Sequence, residues 1–151
     1  MVPFELRSAR LVLDAPVEAD IVVRQHAPQG WGTGTEYTWA IRAAGTPELL
    51  GMIGLRTARP DIGCRLGEPH RGRGYMTEAV RTVTDWALRS GWNRVEWECV
   101  AGNTDSAAVA RRAGFAYTGE GPSVLTFRDG PHSWHGVLPQ PPGPPIPWPV
   151  P

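Results

Sequence analysis

In LRSARLVLDAP apolar and polar positions alternate, which predicts an opening strand from Leu6 to Leu13, closed by Pro16. PVEADIVVRQHAPQG starts on a proline and two acids, as a short helix does, and Pro28 stops it. After the glycine-spaced loop WGTGTEY, the runs EYTWAIRA and LLGMIGLRT flank the turn GTPE and predict an antiparallel hairpin. DIGCRLG supplies a further short strand. In TEAVRTVTDWALRSGW the positions Ala79, Val80, Val83, Trp86 and Ala87 recur at three and four residues, the period of an amphipathic helix that Gly91 ends. RVEWECV reads as a strand, NTDSAAVARRAGF as a capped short helix ended by Gly114, and FAYTGEG and SWHGVL as two more strands. Strands and helices alternate only in the second half. The pattern therefore predicts an α/β fold with a mixed sheet rather than a doubly wound parallel one.

A chain of 151 residues fits one domain with a core of its own. The fifteen acidic and fifteen basic residues cancel, so the basic field that general nucleic-acid binding needs is missing. Every basic residue is arginine, a usage that base composition of the gene explains and that also suits planar phosphate recognition. Cys64 and Cys99 have neither CxxC nor metal-ligand spacing and sit in apolar runs, which predicts two buried thiols and no metal site. The start MVPFELRSAR has no apolar signal region and no window approaches ~18 apolar residues, so the expected location is the cytoplasm, without a membrane span. From Pro139 the tail PQPPGPPIPWPVP carries eight prolines in thirteen residues. So few amide donors remain that it is expected to be extended and to join neither sheet nor helix. The domain is accordingly expected over 1–138 and the tail over 139–151.

Between strand DIGCRLG and the amphipathic helix lies EPHRGRGYM, a strand, glycine-rich loop and helix in sequence. The first N–H groups of a helix lack internal partners and carry the positive end of its dipole, so together they attract an anion. Gly72 and Gly74 have no side chain to block a phosphate, and Arg71 and Arg73 can close over it. The spacing is neither that of a P-loop nor that of a Rossmann dinucleotide turn. An ordinary loop-to-helix junction has the same local pattern.

The wider stretch LGEPHRGRGYMTEAVRTVTDWALRSGWNRVEWECVAGNTDSAAVARRAGFAYTGEG resembles the GNAT acetyltransferase superfamily, and within it the RimJ/RimL branch. There an RGRGY-type loop, TEA, a helix, a strand, N-x-x-S and GF follow one another. The resemblance runs from about Leu49 to Leu138 and includes RLVLDAP more loosely. It implies a single-domain GNAT-like fold, with a mixed, mostly antiparallel sheet flanked by helices and two central strands splayed apart. It implies that Arg71, Gly72, Arg73, Gly74, Tyr75 and Met76 hold the pyrophosphate of acetyl-CoA, and that the pantetheine arm lies between strand 62–67 and strand 94–100. Met76 stands where the family usually has Gly or Ala, which narrows the site while leaving the backbone amide. A backbone N–H near Leu66 would polarise the thioester carbonyl. Asn103 would hold the pantetheine and Ser106 would lie near the departing sulfur, although N-T-D-S ahead of AAVARRAG is also what a helix N-cap looks like.

Such an enzyme moves an acetyl group directly from coenzyme A to an amine that must be neutral to attack. Glu36, Asp61, Glu68, Glu96 and Glu98 are carboxylates that could serve as the base. Strand parity sets Glu96 and Glu98 on one face, opposite Val95, Trp97 and Cys99. Either could reach the cleft, and either could be an ordinary solvated or paired acid. Tyr117 could return a proton to the thiolate, or be a half-buried strand tyrosine. The four histidines lack ligand or triad spacing. Family members place two helices between the first two main strands, whereas the interval from Pro16 to Glu36 has room for one. The acceptor wall therefore looks shortened, which is compatible with an open site for a bulky peptide or protein terminus, with completion by a second copy in a homodimer, or with an internally shortened, poorly active copy. The resemblance favours an acetyl-CoA-dependent N-acetyltransferase acting on a protein N-terminal amine, such as that of a ribosomal protein. A small-amine or antibiotic acetyltransferase, a silent acyl-CoA-binding domain, and an adaptor working through its Pro-rich tail are the alternatives.

Overall fold

The computed structural model describes residues 4–17, 36–124 and 132–150. The opening alternation divides in two. β1 (Leu6–Arg7) turns at once into β2 (Leu11–Asp14), and the two pair antiparallel with Leu6 opposite Leu13. The expected continuous strand is thus a tight hairpin. Ser8 makes the turn: its N–H donates to the Leu11 carbonyl at 3.0 Å and its Oγ accepts the Leu11 N–H at 3.2 Å. A period of two survives such a turn unchanged, because its polar residues fall where strand polar residues would. The helix expected after Pro16, and with it the shortened acceptor wall, falls almost entirely outside the described residues.

The predicted hairpin forms from β3 (Glu36–Ala43) and β4 (Leu49–Arg56), and β5 (Ile62–Leu66) adds antiparallel to β4. The first sheet runs β1-β2-β3-β4-β5. The second consists of β6 (Val95–Val100), β7 (Ala116–Gly121) and β8 (Ser133–Leu138) in the order β6-β8-β7, all antiparallel. One parallel bridge, Asp61 to Glu96, links the two sheets. The mostly antiparallel arrangement is as expected; the mixed character rests on that single bridge.

α1 (Tyr75–Arg89) follows β5 and α2 (Thr104–Arg112) follows β6. Ala79, Val80, Val83 and Ala87 are fully buried against the sheets with Leu11, Leu13, Trp39 and Leu55, while Trp86 is half-buried. Burying each such valine or leucine stabilises the fold by about 1.5–3 kcal/mol, so this stripe fixes α1 to the sheet. α2 ends as its sequence predicts: Gly114 adopts φ 99°, and the Phe115 N–H returns to the Ala110 carbonyl at 3.0 Å. Among the described residues no helix is long and apolar enough to cross a membrane.

The tail departs from expectation. Ile146 forms an antiparallel bridge with Tyr117, and the Trp148 indole donates to the Phe115 carbonyl at 2.9 Å. The Trp148 ring lies 5.0 Å from that of Tyr117. Gly136 on β8 is its seat, since a Cβ there would lie 2.9 Å from the indole. Prolines remove amide donors, but Ile146 keeps its own and Trp148 supplies one from its side chain. Two residues suffice to dock a segment that cannot form a continuous ladder.

Candidate active site

The bridge at Asp61 and Glu96 is the closed end of a gap between β5 and β6. There the Glu96 N–H donates to the Pro60 carbonyl at 2.6 Å, and the two carboxylates meet arginines: Arg59 and Arg94 lie 3.1 and 2.9 Å from Glu96, and Arg56 3.3 Å from Asp61. Burial pushes the Asp61 carboxyl above its usual range, against the pull of Arg56 and Arg59. Among the described residues no further bridge joins β5 to β6 beyond this point, and the strands part. Their polar groups face the gap by register. The Gly67 N–H donates to the Leu50 carbonyl at 2.8 Å, which makes Gly51 and Leu66 a non-hydrogen-bonded pair. The backbone N–H and C=O of Leu66 therefore point away from β4, toward β6. On the β6 side the alternation set by Glu96 sends the backbone groups of Glu98 and Val100 into the same space.

β5 and β6 run parallel, so the segments after both strands emerge at the open end, where a crevice between parallel strands receives ligands. After β5 comes a short 3-10 turn at Glu68–His70, then the loop to α1. Gly72 and Gly74 adopt φ 80° and 78°, which a side chain would resist, and Gly74 is the N-cap of α1 without any side-chain cap. The N–H groups of Tyr75, Met76 and Thr77 thus begin a helix whose first turn is bare. The loop is braced from behind. Arg10 donates from its guanidinium to the Arg73 carbonyl at 2.9 Å, lies 4.7 Å from the centre of the Tyr75 ring, and pairs with Glu78 at 2.7 Å. The Ser8 hydroxyl donates 2.5 Å to the same carboxylate. Burial would raise the Glu78 carboxyl, but the bonds from Ser8 and Arg10 outweigh it and hold the group below its usual range. Arg71 and Arg73 are both exposed on the loop; the Arg71 Nε donates to the Leu66 carbonyl at 3.1 Å. Met76 points into the core, so its side chain leaves the amide face open.

After β6 the chain turns at 101–102 into α2. Asn103 caps that helix, its Oδ1 accepting the Ser106 N–H at 3.2 Å, and the Ser106 side chain stands in the exposed first turn. Glu98 is buried elsewhere. The Val124 N–H donates to it at 3.2 Å, and Ser123, Ser133 and His135 surround it. Burial opposes its ionisation, yet the hydroxyls of Ser123 and Ser133 hold the carboxyl below its usual range. The opposite face of β6 carries Val95, Trp97 and Cys99 into the core, as parity requires. The Tyr117 hydroxyl is raised by burial and by the nearby Glu120 and Cys99, so it keeps its proton at neutral pH. Cys99 is buried and Cys64 only half-buried. Among the described residues no group of three or more His, Cys, Asp or Glu could hold a metal ion.

The model of the acetyltransferase (GNAT) domain matches residues 10–116. The chain belongs to the GNAT acetyltransferase family. A Bacillus subtilis (strain 168) protein named Probable N-acetyltransferase YjcK is 36% identical over 89 residues, covering 53% of this chain and 48% of its own. The chain therefore spans about half the length of that curated relative. Among solved structures, an acetyltransferase from Agrobacterium tumefaciens strain C58 superposes with a TM-score of 0.76 at 24% identity, over 93% of this chain and 96% of the other. RimL, the ribosomal L7/L12 α-N-protein acetyltransferase solved with coenzyme A, gives 0.75 at 18% identity, over 89% and 97%. The self-immunity acetyltransferase MccE, solved with acetyl-CoA and AMP, gives 0.70 at 15% identity, over 86% and 92%.

Leu66 and the loop 71–76 lie at the end of β5, and Asn103 and Ser106 follow the end of β6. Glu98 and Tyr117 lie farther along the second sheet. Arg10 and Ser8 carry no motif that marks them, and nothing in TEA marks Glu78 as their partner. The signal was an acid in the first turn of α1, which by itself reads as a partner for the helix dipole.

Proposed function

We propose that the protein is an acetyl-CoA-dependent N-acetyltransferase that moves the acetyl group directly to a primary amine, a protein N-terminal α-amine in the first instance. The observation that carries this reading is the gap between β5 and β6, which opens beside an uncapped helix N-terminus. The bare amides of α1 suit the pyrophosphate, and the gap suits an extended pantetheine arm, which can bond to strand edges as a further strand would. Acetyl-CoA brings an activated thioester. The Leu66 N–H, directed into the gap, is placed to donate to the carbonyl oxygen as charge grows there. The amine nitrogen bonds to the carbonyl carbon, the carbon–sulfur bond breaks, the nitrogen loses a proton, and the thiolate gains one.

Glu96 is taken up by Arg59 and Arg94, and Glu98, whose carboxyl is held below its usual range, is not tuned as a base near neutrality. An α-amine with a pKa near ~8 is partly neutral at physiological pH and needs little help from the protein. This favours a terminal α-amine over a lysine side chain, and it matches the RimL-like fold. Small amines, antibiotics among them, share this advantage when their own pKa is low. The reading places the protein in the cytoplasm and allows a second copy of the chain to complete the acceptor wall, which light scattering would reveal.

Calorimetry with acetyl-CoA is the test, run alongside Arg73→Glu, which sets negative charge at the loop surface. Saturable binding lost in the variant supports the reading, and thiol release across a panel of N-terminal peptides and small amines then identifies the acceptor. Binding without thiol release would make the protein a silent acyl-CoA-binding domain. No binding by the folded wild type would sink the reading.

A further inference from the structure

The bridge between Asp61 and Glu96 sets the register of two parallel strands, and three residues beyond it on each strand stands a cysteine. Cys64 on β5 is therefore level with Cys99 on β6, across the gap. Their faces agree as well. Cys64 pairs with Ile53 and alternates with Ile62 and Leu66 on the core face of β5, while Cys99 shares the core face of β6 with Val95 and Trp97. We propose that the two thiols form an oxidation site, and that a disulfide between them closes the gap against the pantetheine arm, a consequence that rests on the acetyl-CoA reading.

A disulfide holds its two Cα atoms about 4.4–6.8 Å apart, close to the roughly 4.8 Å between neighbouring strands of one sheet. A slot with an extended arm between its walls is wider than one such spacing. The crosslinked pair and the bound arm therefore exclude each other. β5 is the last strand of the first sheet and β6 the first of the second, so the bridge at Asp61 is the pivot about which their open ends close. Closure also carries Leu66, two residues beyond Cys64, toward β6 and into the space that its N–H faces.

Exposure orders the chemistry, because Cys64 is half-buried and Cys99 only 2% exposed. The oxidant is a small disulfide of the glutathione class. The Cys64 thiol loses its proton, its sulfur attacks one sulfur of that disulfide, and one glutathione thiolate leaves. Cys99 then loses its proton and attacks the Cys64 sulfur of the mixed disulfide, and the second glutathione thiolate leaves. The protein has given up two electrons and two protons, and the two glutathione thiols have gained them. Excess thiol reverses both steps, so the site reads the thiol–disulfide balance around the protein.

The test treats the folded protein with oxidised glutathione, with and without saturating acetyl-CoA, and maps its disulfides by digestion and mass spectrometry. Peptides joined through Cys64 and Cys99 are expected, forming about tenfold more slowly when acetyl-CoA is bound. Calorimetry on the oxidised protein should show acetyl-CoA affinity about tenfold lower or worse, restored by dithiothreitol. Cys64→Ser should bind acetyl-CoA as the reduced wild type does and lose the response to the oxidant, while Cys99→Ser should stop at a glutathione adduct on Cys64. No Cys64–Cys99 crosslink in the folded protein, or a crosslinked protein that binds acetyl-CoA as tightly as the reduced one, overturns the proposal and leaves the acetyltransferase reading standing. A crosslink in a protein whose reduced form binds no acetyl-CoA overturns that reading, and the role of the closure with it.

Discussion

The Glu78 carboxylate accepts two hydrogen bonds from Arg10, one from its backbone N–H at 2.8 Å and one from its guanidinium at 2.7 Å. These residues are 68 apart in sequence, and the contact ties the β1–β2 turn to the first turn of α1. Arg10 in turn holds the Arg73 carbonyl, so the shape of the loop 71–76 depends on a residue outside it. Glu78→Gln keeps the size of the side chain and removes its charge. We expect acetyl-CoA affinity to fall about three- to tenfold, as for loss of one or two charge-assisted bonds, with melting lowered by a few degrees. An unchanged affinity in calorimetry would separate the loop from its brace.

The same carboxyl gives a pH signature. Its folded pKa lies below its ordinary value of 4.5, so the folded state binds the proton less tightly than the unfolded chain does. The stabilisation is fully present above that ordinary value and is lost as pH falls through the lower folded one. Glu98 acts with the same sign. Unfolding midpoints measured between neutrality and pH 3 should therefore drop steeply at the acid end, and less steeply in Glu78→Gln.

At the other edge of the site Gly51 allows β4 to approach β5. A Cβ there would lie 2.2 Å from the Arg65 carbonyl and 2.9 Å from the Leu66 Cα. Gly51→Ala must push β5 outward at the very residue whose N–H faces the gap. A destabilisation of about 1–3 kcal/mol is expected, with weaker acetyl-CoA binding. Denaturant unfolding and calorimetry on one preparation read both effects.

Removal of residues 139–151 should destabilise the domain rather than leave it intact, because Trp148 packs on Gly136 and Tyr117 and bonds to Phe115. Trp148→Ala isolates that contribution. For a half-buried indole that also loses its hydrogen bond, about 2 kcal/mol is expected, or a melting temperature lower by roughly 4–8 °C. A tail that serves only as a ligand for a proline-binding partner predicts no change.

The rate of acetyl transfer should follow the acceptor rather than the enzyme. Glu96 is taken up by two arginines and the Glu98 carboxyl is held below its usual range, so with an α-amine acceptor kcat/KM should rise with pH and level off near the amine pKa of ~8. A limb between pH 5 and 7 that Glu98→Gln abolishes would instead make Glu98 the base.

Much of the donor half was legible along the chain. The helix α1, its apolar stripe and its bare start follow from TEAVRTVTDWALRSGW and from Gly72 and Gly74, since period and glycine placement are local properties. Asn103 and Gly114 mark the ends of α2 for the same reason. The β1–β2 turn was not legible, because Ser8 and Arg10 keep the alternation of a strand while their partner Glu78 lies on α1. Nor were the fates of the glutamates. Parity gives the face of Glu98, but only the approach of Ser123, Ser133 and the Val124 N–H holds its carboxyl below the usual range there.

By itself, the sequence determined the elements, their order and the loop that suits an anion, because hydrophobic period, capping and glycine conformation act over a few residues. Tertiary structure decided that β5 and β6 touch once and then part, that Arg10 steadies the loop, that Cys64 stands level with Cys99, and that Trp148 folds back onto Gly136. Each of these joins residues distant in the chain. Such contacts depend on how the packed layers meet, which no local pattern specifies.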